Sequence, residues 1–287
     1  MPVGAVRRSL AQALRQRIAG DDAAARARTI WSAPGERWFT PDDPIWWVHM
    51  DAAMFPGGIR ALLLQSLHPL AMAGVDQHSA YRDDPWTRVQ RTSTYIATTT
   101  FGTAKHAEQA VNAVRRIHQH VRGHARDGKP YRADDPHLLM WVHVAEVESF
   151  LTTYQRFGAR PLSPGQADTY VAQTGIAAEM LGVVDPPQSE ADLRAVLQGY
   201  RAELVSSPEA REAARFLLRR PPLPMLARPG YHALAAGAVA TLPTWARREL
   251  GVVRRPAGAQ TGAVATSAVR WLMSDPSVSD RPGLVRS

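Results

Sequence analysis

Residues 57–102 read GGIRALLLQSLHPLAMAGVDQHSAYRDDPWTRVQRTSTYIATTTFG. This predominantly helical stretch strings together Leu67-His68-Pro69, Gly74-Val75-Asp76-Gln77-His78-Ser79 and Arg88-Val89-Gln90-Arg91-Thr92. Leu62, Leu63, Leu64, Leu67, Leu70 and Val75 surround the histidines, so the imidazoles are expected to face an interior cavity rather than solvent. A long apolar helix should cover about residues 58–75, kinked where Pro69 removes a backbone donor. Asp84-Pro85-Trp86 is a helix start, with Asp as N-cap and Pro in the first turn. That helix should run to about Phe101 and end at Gly102.

Working outward, the pattern stays helical. Leu10, Leu14 and Ile18 recur every four residues in a basic amphipathic first segment. Residues 38–56, with Trp46-Trp47 between Pro44 and Pro56, read as an aromatic loop. A helix from about Lys105 to Arg122 stops at Gly123, and a charged turn leads to a second Asp-Pro start at Asp135-Pro136, opening a helix that reaches about Phe157. Further helices are expected after Ser163-Pro164, Ser189-Glu190 and Ser207-Pro208, around residues 231–241, and briefly around 264–273. No segment alternates with period two, so a sheet is not expected. The fold class is all-α with one helical domain. The chain divides into a basic N-terminal helix (1–30), a helical body (31–252) and a basic, loosely ordered tail (253–287).

The 287 residues, 45% of them apolar, suffice for a substantial core. No apolar run approaches the roughly 18 to 20 residues of a membrane span. The first 18 residues carry four arginines and no continuous apolar stretch, so they do not read as a secretory signal, and the cytoplasm is the expected compartment. The absence of cysteine excludes disulfides, thiolate haem ligation, iron–sulfur clusters and Cys-based zinc sites. Residues 1–30 and 240–287 each carry a net charge of +4, which together account for the whole excess of +8. With the middle of the chain neutral, no nucleic-acid partner is expected; the basic ends suit solubility, an acidic partner or peripheral contact with a membrane surface. There is no Gly-x-Gly-x-x-Gly, Walker loop, His-Glu-x-x-His or Gly-x-Ser-x-Gly.

On the helix that begins at Pro85, Arg88, Arg91 and Thr92 stand at i, i+3 and i+4, and Tyr95 and Thr99 prolong the stripe. Paired arginines suit carboxylates or phosphates, and on a helix face they also form surface salt bridges. In the next helix, Ala107, Val111, Val114 and Val121 make an apolar stripe whose missing member is His118, so His118 should point inward. His120 lies about 200° further round the wheel, with Arg116 and His124. An inward histidine serves as a metal ligand, an acid/base group or a hydrogen-bonded core residue. His143 and Glu146 are three apart on the helix after Pro136, and His68 and His78 are candidates for the same pocket.

These residues resemble the MpaB-type and rubber-oxygenase (latex-clearing protein) catalytic-domain family. The resemblance rests on Gly57 to Gln65, Leu67-His68-Pro69, Gly74-Val75 with His78-Ser79, Asp84-Pro85-Trp86 followed by Arg88, Arg91 and Thr92, Ile117-His118, Tyr131 with Asp134-Asp135-Pro136, Trp141-Val142-His143, and Leu242-Pro243 with Arg247-Arg248-Glu249-Leu250-Gly251. It implies an all-helical fold of globin-like character whose pocket holds a noncovalent b-type haem on one proximal histidine. His118 is the best match for the iron ligand, with His120, His124 and His143 as alternatives, and Arg88, Arg91 and Thr92 fall on the family's haem-pocket pattern. His143 also counts among the cofactor-binding residues, and His68 and His78 are second choices for catalysis. The implied activity is haem-dependent oxidation of a small apolar substrate by dioxygen or peroxide. Two alternatives stand beside it: a non-enzymatic helical binder of an acidic lipid or metabolite, and a non-haem iron oxygenase using His143 and Glu146. Rubber oxygenases carry a distal carboxylate upstream of the Arg-Thr pattern, where this chain reads Leu70-Ala71-Met72-Ala73-Gly74, with Asp76 the nearest acid. That departure leaves the reaction open.

Overall fold

A computed structural model describes residues 3–20, 23–79 and 82–274, and almost all of its regular structure is helical. The order is α1 (Val3–Ala19), α2 (Ala23–Ala27), α3 (Pro44–Met50), α4 (Met54–Gln65), α5 (Pro69–His78), α6 (Pro85–Phe101) and α7 (Ala104–His118). A two-stranded antiparallel hairpin, β1 (Arg122–His124) with β2 (Pro130–Arg132), then precedes α8 (Pro136–Phe157). The chain continues through α9 (Pro164–Leu181), α10 (Glu190–Gly199), α11 (Pro208–Arg219), α12 (Arg228–Thr241), α13 (Thr244–Leu250) and α14 (Gly258–Met273). The all-α class is as expected. Among the described residues no helix is long and apolar enough to cross a membrane.

The Asp-Pro and Ser-Pro starts work as local chemistry dictates. The side chains of Asp84, Asp135, Ser163 and Ser207 accept backbone N–H bonds from the first turns of α6, α8, α9 and α11, and a proline at the first helical position needs no partner for the donor it lacks. Ser163 and Gln166 complete a reciprocal capping box.

Where the structure differs from these expectations, the causes are local. The long kinked helix is two helices: the residue before a proline is pushed out of the helical region, and His68, at φ −86° and ψ 113°, is extended. Residues 44–50 are helical rather than loop: Pro44 takes the first helical position as Pro85 does, although the Asp43 carboxylate accepts from Thr40 and Gln173 rather than capping the helix. α7 stops at His118, four residues early, and the charged turn closes as the hairpin, with Gly128 at φ +83° and Ala125 N–H bonded to Lys129 O. Among the described side chains of α1, Ala11 is buried (3% exposed) whereas Leu10 is exposed; the side chain of Ile18 lies outside the described residues. α14 begins at residue 258, ahead of the expected 264, while residues 275–287 lie outside the described part.

α8 runs through the core, with Trp141, Val144 and Ala145 fully buried and α4 laid along it. Gly57 lets α4 approach closely, since a Cβ there would sit 2.7 Å from Thr153 Oγ1 and 2.8 Å from Phe150 Cδ1. The buried Arg60 ties the same helices together. Its guanidinium donates to both Glu148 carboxylate oxygens, to Ser149 Oγ (2.7 Å) and to Thr241 O (3.3 Å). At the far end, Asp51 holds Arg270 of α14 by two bonds of 2.9 and 2.7 Å, and Arg270 also donates to Phe157 O (2.6 Å). α1 packs against α6 and α14, with Arg7 over the Trp271 ring and Arg17 over Trp86.

Candidate functional site

Between α4, α5, α6, the end of α7, α8, α9 and α11 lies a cavity of about 500 Å³. That is within the usual ~300–1,000 Å³ of small-molecule sites. Leu62, Leu70, Met72, Val75, Val121, Leu139 and Phe216 make most of its wall apolar, and polar groups enter at a few points. These are His78 from α5, Arg88 and Tyr95 from α6, His118 from the end of α7, and His143 and Glu146 from α8. His49 of α3 and Tyr170 of α9 join them.

The sequence-derived candidates divide accordingly. His78, Arg88, His118 and His143 line the cavity together. His118 completes the buried stripe of Ala107 and Val111, and its Nδ1 is buried without a hydrogen-bond partner. His143 Nε2 is likewise buried and unpartnered. His120 and His124 are exposed, and His120 Nδ1 donates to Arg116 O (2.8 Å). Arg91 and Thr92 are exposed on α6 and are not lining residues; the helix turns Arg88, Tyr95 and Thr99 inward instead. Arg88 donates to Ser79 Oγ (2.8 Å). His68 is buried but outside the cavity wall, beside Trp141, His137 and Tyr200.

Burial sets the electrostatics. It pushes Glu146 up to about 7 and His143 down to about 4, so near neutral pH the imidazole is uncharged while the carboxyl is close to half-protonated. His118 is also lowered by burial, against the pull of Asp134. Tyr95 and Tyr170 are raised by burial and then by Glu146, and remain neutral phenols. Tyr131 donates to Gln77 Oε1 (2.7 Å), which engages its only proton; His78 Nε2, 3.1 Å from the same hydroxyl, must therefore be the donor to it.

Sequence reasoning missed His49. Its Nδ1 is 2.7 Å from Thr100 Oγ1 and its Nε2 is 3.3 Å from Tyr170 OH, and burial lowers it to about 3. Asp43-Pro44 carried the signal: once residues 44–50 are helical, His49 falls four residues after the buried Ile45, on the inward face. The carboxylate absent around Met72 is not supplied by Asp76, which pairs with Arg82. Among the described residues, Glu146 is the one carboxylic acid in the cavity wall.

The family described as ER-bound oxygenase mpaB/B'/rubber oxygenase, catalytic domain, matches residues 46–273. No curated protein and no solved structure matches the chain.

Proposed function

Because the chain belongs to the catalytic-domain family of the ER-bound oxygenase mpaB/B' and rubber oxygenase, we propose that it is a haem b-dependent oxidoreductase acting on a small apolar substrate with dioxygen or peroxide. The observation that carries this reading is the pair of unpartnered, buried imidazole nitrogens, His118 Nδ1 and His143 Nε2, on two histidines of one apolar cavity. A buried polar atom without a partner costs about 1–3 kcal/mol, and a group that engages these rings would offset that cost. In a chain without cysteine, histidine is the donor that haem iron would take, and neutral imidazole is the form that ligates.

In this reading His118 holds the iron and Arg88 meets a propionate. Arg91 and Thr92, exposed on α6 outside the wall, would meet a propionate where it leaves the cavity. Bound haem supplies the oxidative chemistry on dioxygen or peroxide. The protein residues do the rest. The leucine, valine and phenylalanine walls exclude water and select an apolar substrate. Glu146, poised near neutrality, gives or takes a proton inside the cavity, taking the part left open by the missing acid near Met72. His143 accepts a hydrogen bond, and His78, whose Nε2–H is held by the Tyr131 hydroxyl, offers its other ring nitrogen as a second acceptor.

A spectrum of the purified protein, before and after dithionite and after reconstitution with hemin, tests the reading. A Soret band that His118→Ala abolishes or strongly weakens is the expected result. An unchanged spectrum in that variant removes His118 from the iron. A colourless protein that hemin cannot reconstitute overturns haem dependence and leaves a binder of apolar or acidic ligands. Iron without porphyrin would move the metal to His143 and Glu146.

A further inference from the structure

Behind the cavity wall, three side chains that the haem reading does not use converge from separate elements. His68 precedes Pro69 at the start of α5, His137 is the second residue of α8, and Glu203 follows the short helical turn after α10. Glu203 Oε2 is 2.8 Å from His137 Nε2 and 3.4 Å from His68 Nε2, and one donor atom from each residue lies within 4.8 Å of the others. None of the three lines the cavity.

The arrangement calls for a cation. Tyr200 spends its hydroxyl proton on His137 O (2.7 Å), so its oxygen, 3.3 Å from His137 Nδ1, can only accept from that nitrogen. With the hydrogen on Nδ1, the Nε2 lone pair of His137 faces a carboxylate oxygen at 2.8 Å, which is repulsive unless a proton or a metal ion lies between them. His68 is 2% exposed, and neither of its ring nitrogens has a hydrogen-bond partner. Its backbone neighbourhood is fixed, since Val205 N–H bonds to Leu67 O (2.9 Å) and brings the Glu203 segment against it.

We propose that His68, His137 and Glu203 form a second metal site, distinct from the haem cavity, that takes a zinc-class divalent cation with water in the fourth position. Two imidazoles and one carboxylate are a recurrent donor set for Zn²⁺, whereas Mg²⁺ and Ca²⁺ prefer oxygen. With Zn–N and Zn–O bonds near ~2.1 Å, a tetrahedral edge is about 3.4 Å, the separation already present between His68 and Glu203. The His137–Glu203 pair must open by about half an ångström to reach the same edge. The Glu203 and His137 side chains, 44% and 54% exposed, leave room for that opening on the solvent side. Burial keeps His68 neutral, the ligating form, against the opposing pull of Glu203. Burial alone would raise Glu203, but the two imidazoles hold its carboxylate below the ordinary value. Such an ion would clip the first turn of α8 to the chain leaving α10 and to the α4–α5 break. The proposal does not depend on haem.

The test titrates Zn²⁺ into the full chain after EDTA treatment and desalting, by calorimetry and by thermal unfolding, with Co²⁺ as a coloured substitute. One Zn²⁺ per chain, a raised melting temperature and the visible bands of tetrahedral Co²⁺ are expected. Glu203→Gln and His137→Asn, at exposed positions that should not disturb folding, should each weaken Zn²⁺ at least about tenfold and leave the hemin-dependent spectrum unchanged. No saturable Zn²⁺ binding, or equal affinity in the wild type and the double variant, overturns the site.

Discussion

Glu146 and His143 sit one helical turn apart on α8, and burial moves their protonation in opposite directions: Glu146 up to about 7, His143 down to about 4. For Glu146 the folded chain holds the proton more tightly than the unfolded chain, whose carboxyl titrates near 4.5. Its contribution to stability is fully present below pH 4.5 and is lost as pH rises towards 7. Two and a half pH units correspond to about 3 kcal/mol. Glu146→Gln should therefore be more stable than the wild type at pH 8 by an amount of that order, with the gap closing towards pH 4.5; denaturant titrations at both pH values, without added haem, measure it. A gap that does not change with pH would show that Glu146 ionises in the folded chain as it does in water. At this scale the inward placement of His118 was legible, because a single histidine interrupts an apolar stripe of fixed period. The outward placement of Arg91 and Thr92 was not. Residues at i, i+3 and i+4 share a broad face, and only packing against α5 and α8 decides which edge of that face meets the cavity.

Helices meet here through small residues and buried ion pairs, and the α12–α14 crossing shows it best. Gly237 and Gly262 face each other so closely that a Cβ on Gly237 would lie 2.8 Å from Gly262 Cα. Backbone cannot yield as a flexible side chain can. Gly237→Ala and Gly262→Ala are thus expected to cost about 1–3 kcal/mol, despite the roughly 1 kcal/mol by which helix propensity favours alanine. Gly199, the last residue of α10, has open space around its added methyl, so Gly199→Ala should be neutral or stabilising. Thermal unfolding of the three variants checks this, and a loss of stability in Gly199→Ala comparable to the others would refute it. Helix starts were well marked by Asp-Pro and Ser-Pro pairs, because capping is a contact between near neighbours. The end of α7 and the split between α4 and α5 were less legible. A helix ends where competing bonds are better, and those of the β1–β2 hairpin come from residues further along the chain.

Over the whole molecule, fourteen α-helices among the described residues surround a cavity in which burial lowers His49, His118 and His143. His49 falls to about 3 and His143 to about 4, while the unfolded chain protonates both near 6.5. Their contribution is fully present above pH 6.5 and is lost as pH falls through 4 for His143 and 3 for His49. Unfolding near pH 5 should take up about two protons at these rings, with Glu146 releasing up to one, a slope of about 1.4 kcal/mol per pH unit for each net proton. Denaturation midpoints at pH 7, 6 and 5 should fall in that order; a constant midpoint would mean the rings already carry protons in the folded chain. The two basic ends, far apart in sequence, also meet at this scale, with α1 packed on α14 and Arg7 bonded to Trp271 O and Ser274 Oγ. Read alone, the amino-acid sequence determined the all-α class, most helix starts, the family and the inward His118, because each depends on periodicity, capping or short motifs within a few residues. The tertiary structure alone decided that His49 and Tyr170 share the cavity with Glu146, that Arg91 and Thr92 stand outside its wall, and that His68 turns to His137 and Glu203. Those placements depend on side chains from separate elements, as far apart in sequence as His68 and Glu203, and no local pattern encodes how helices pack.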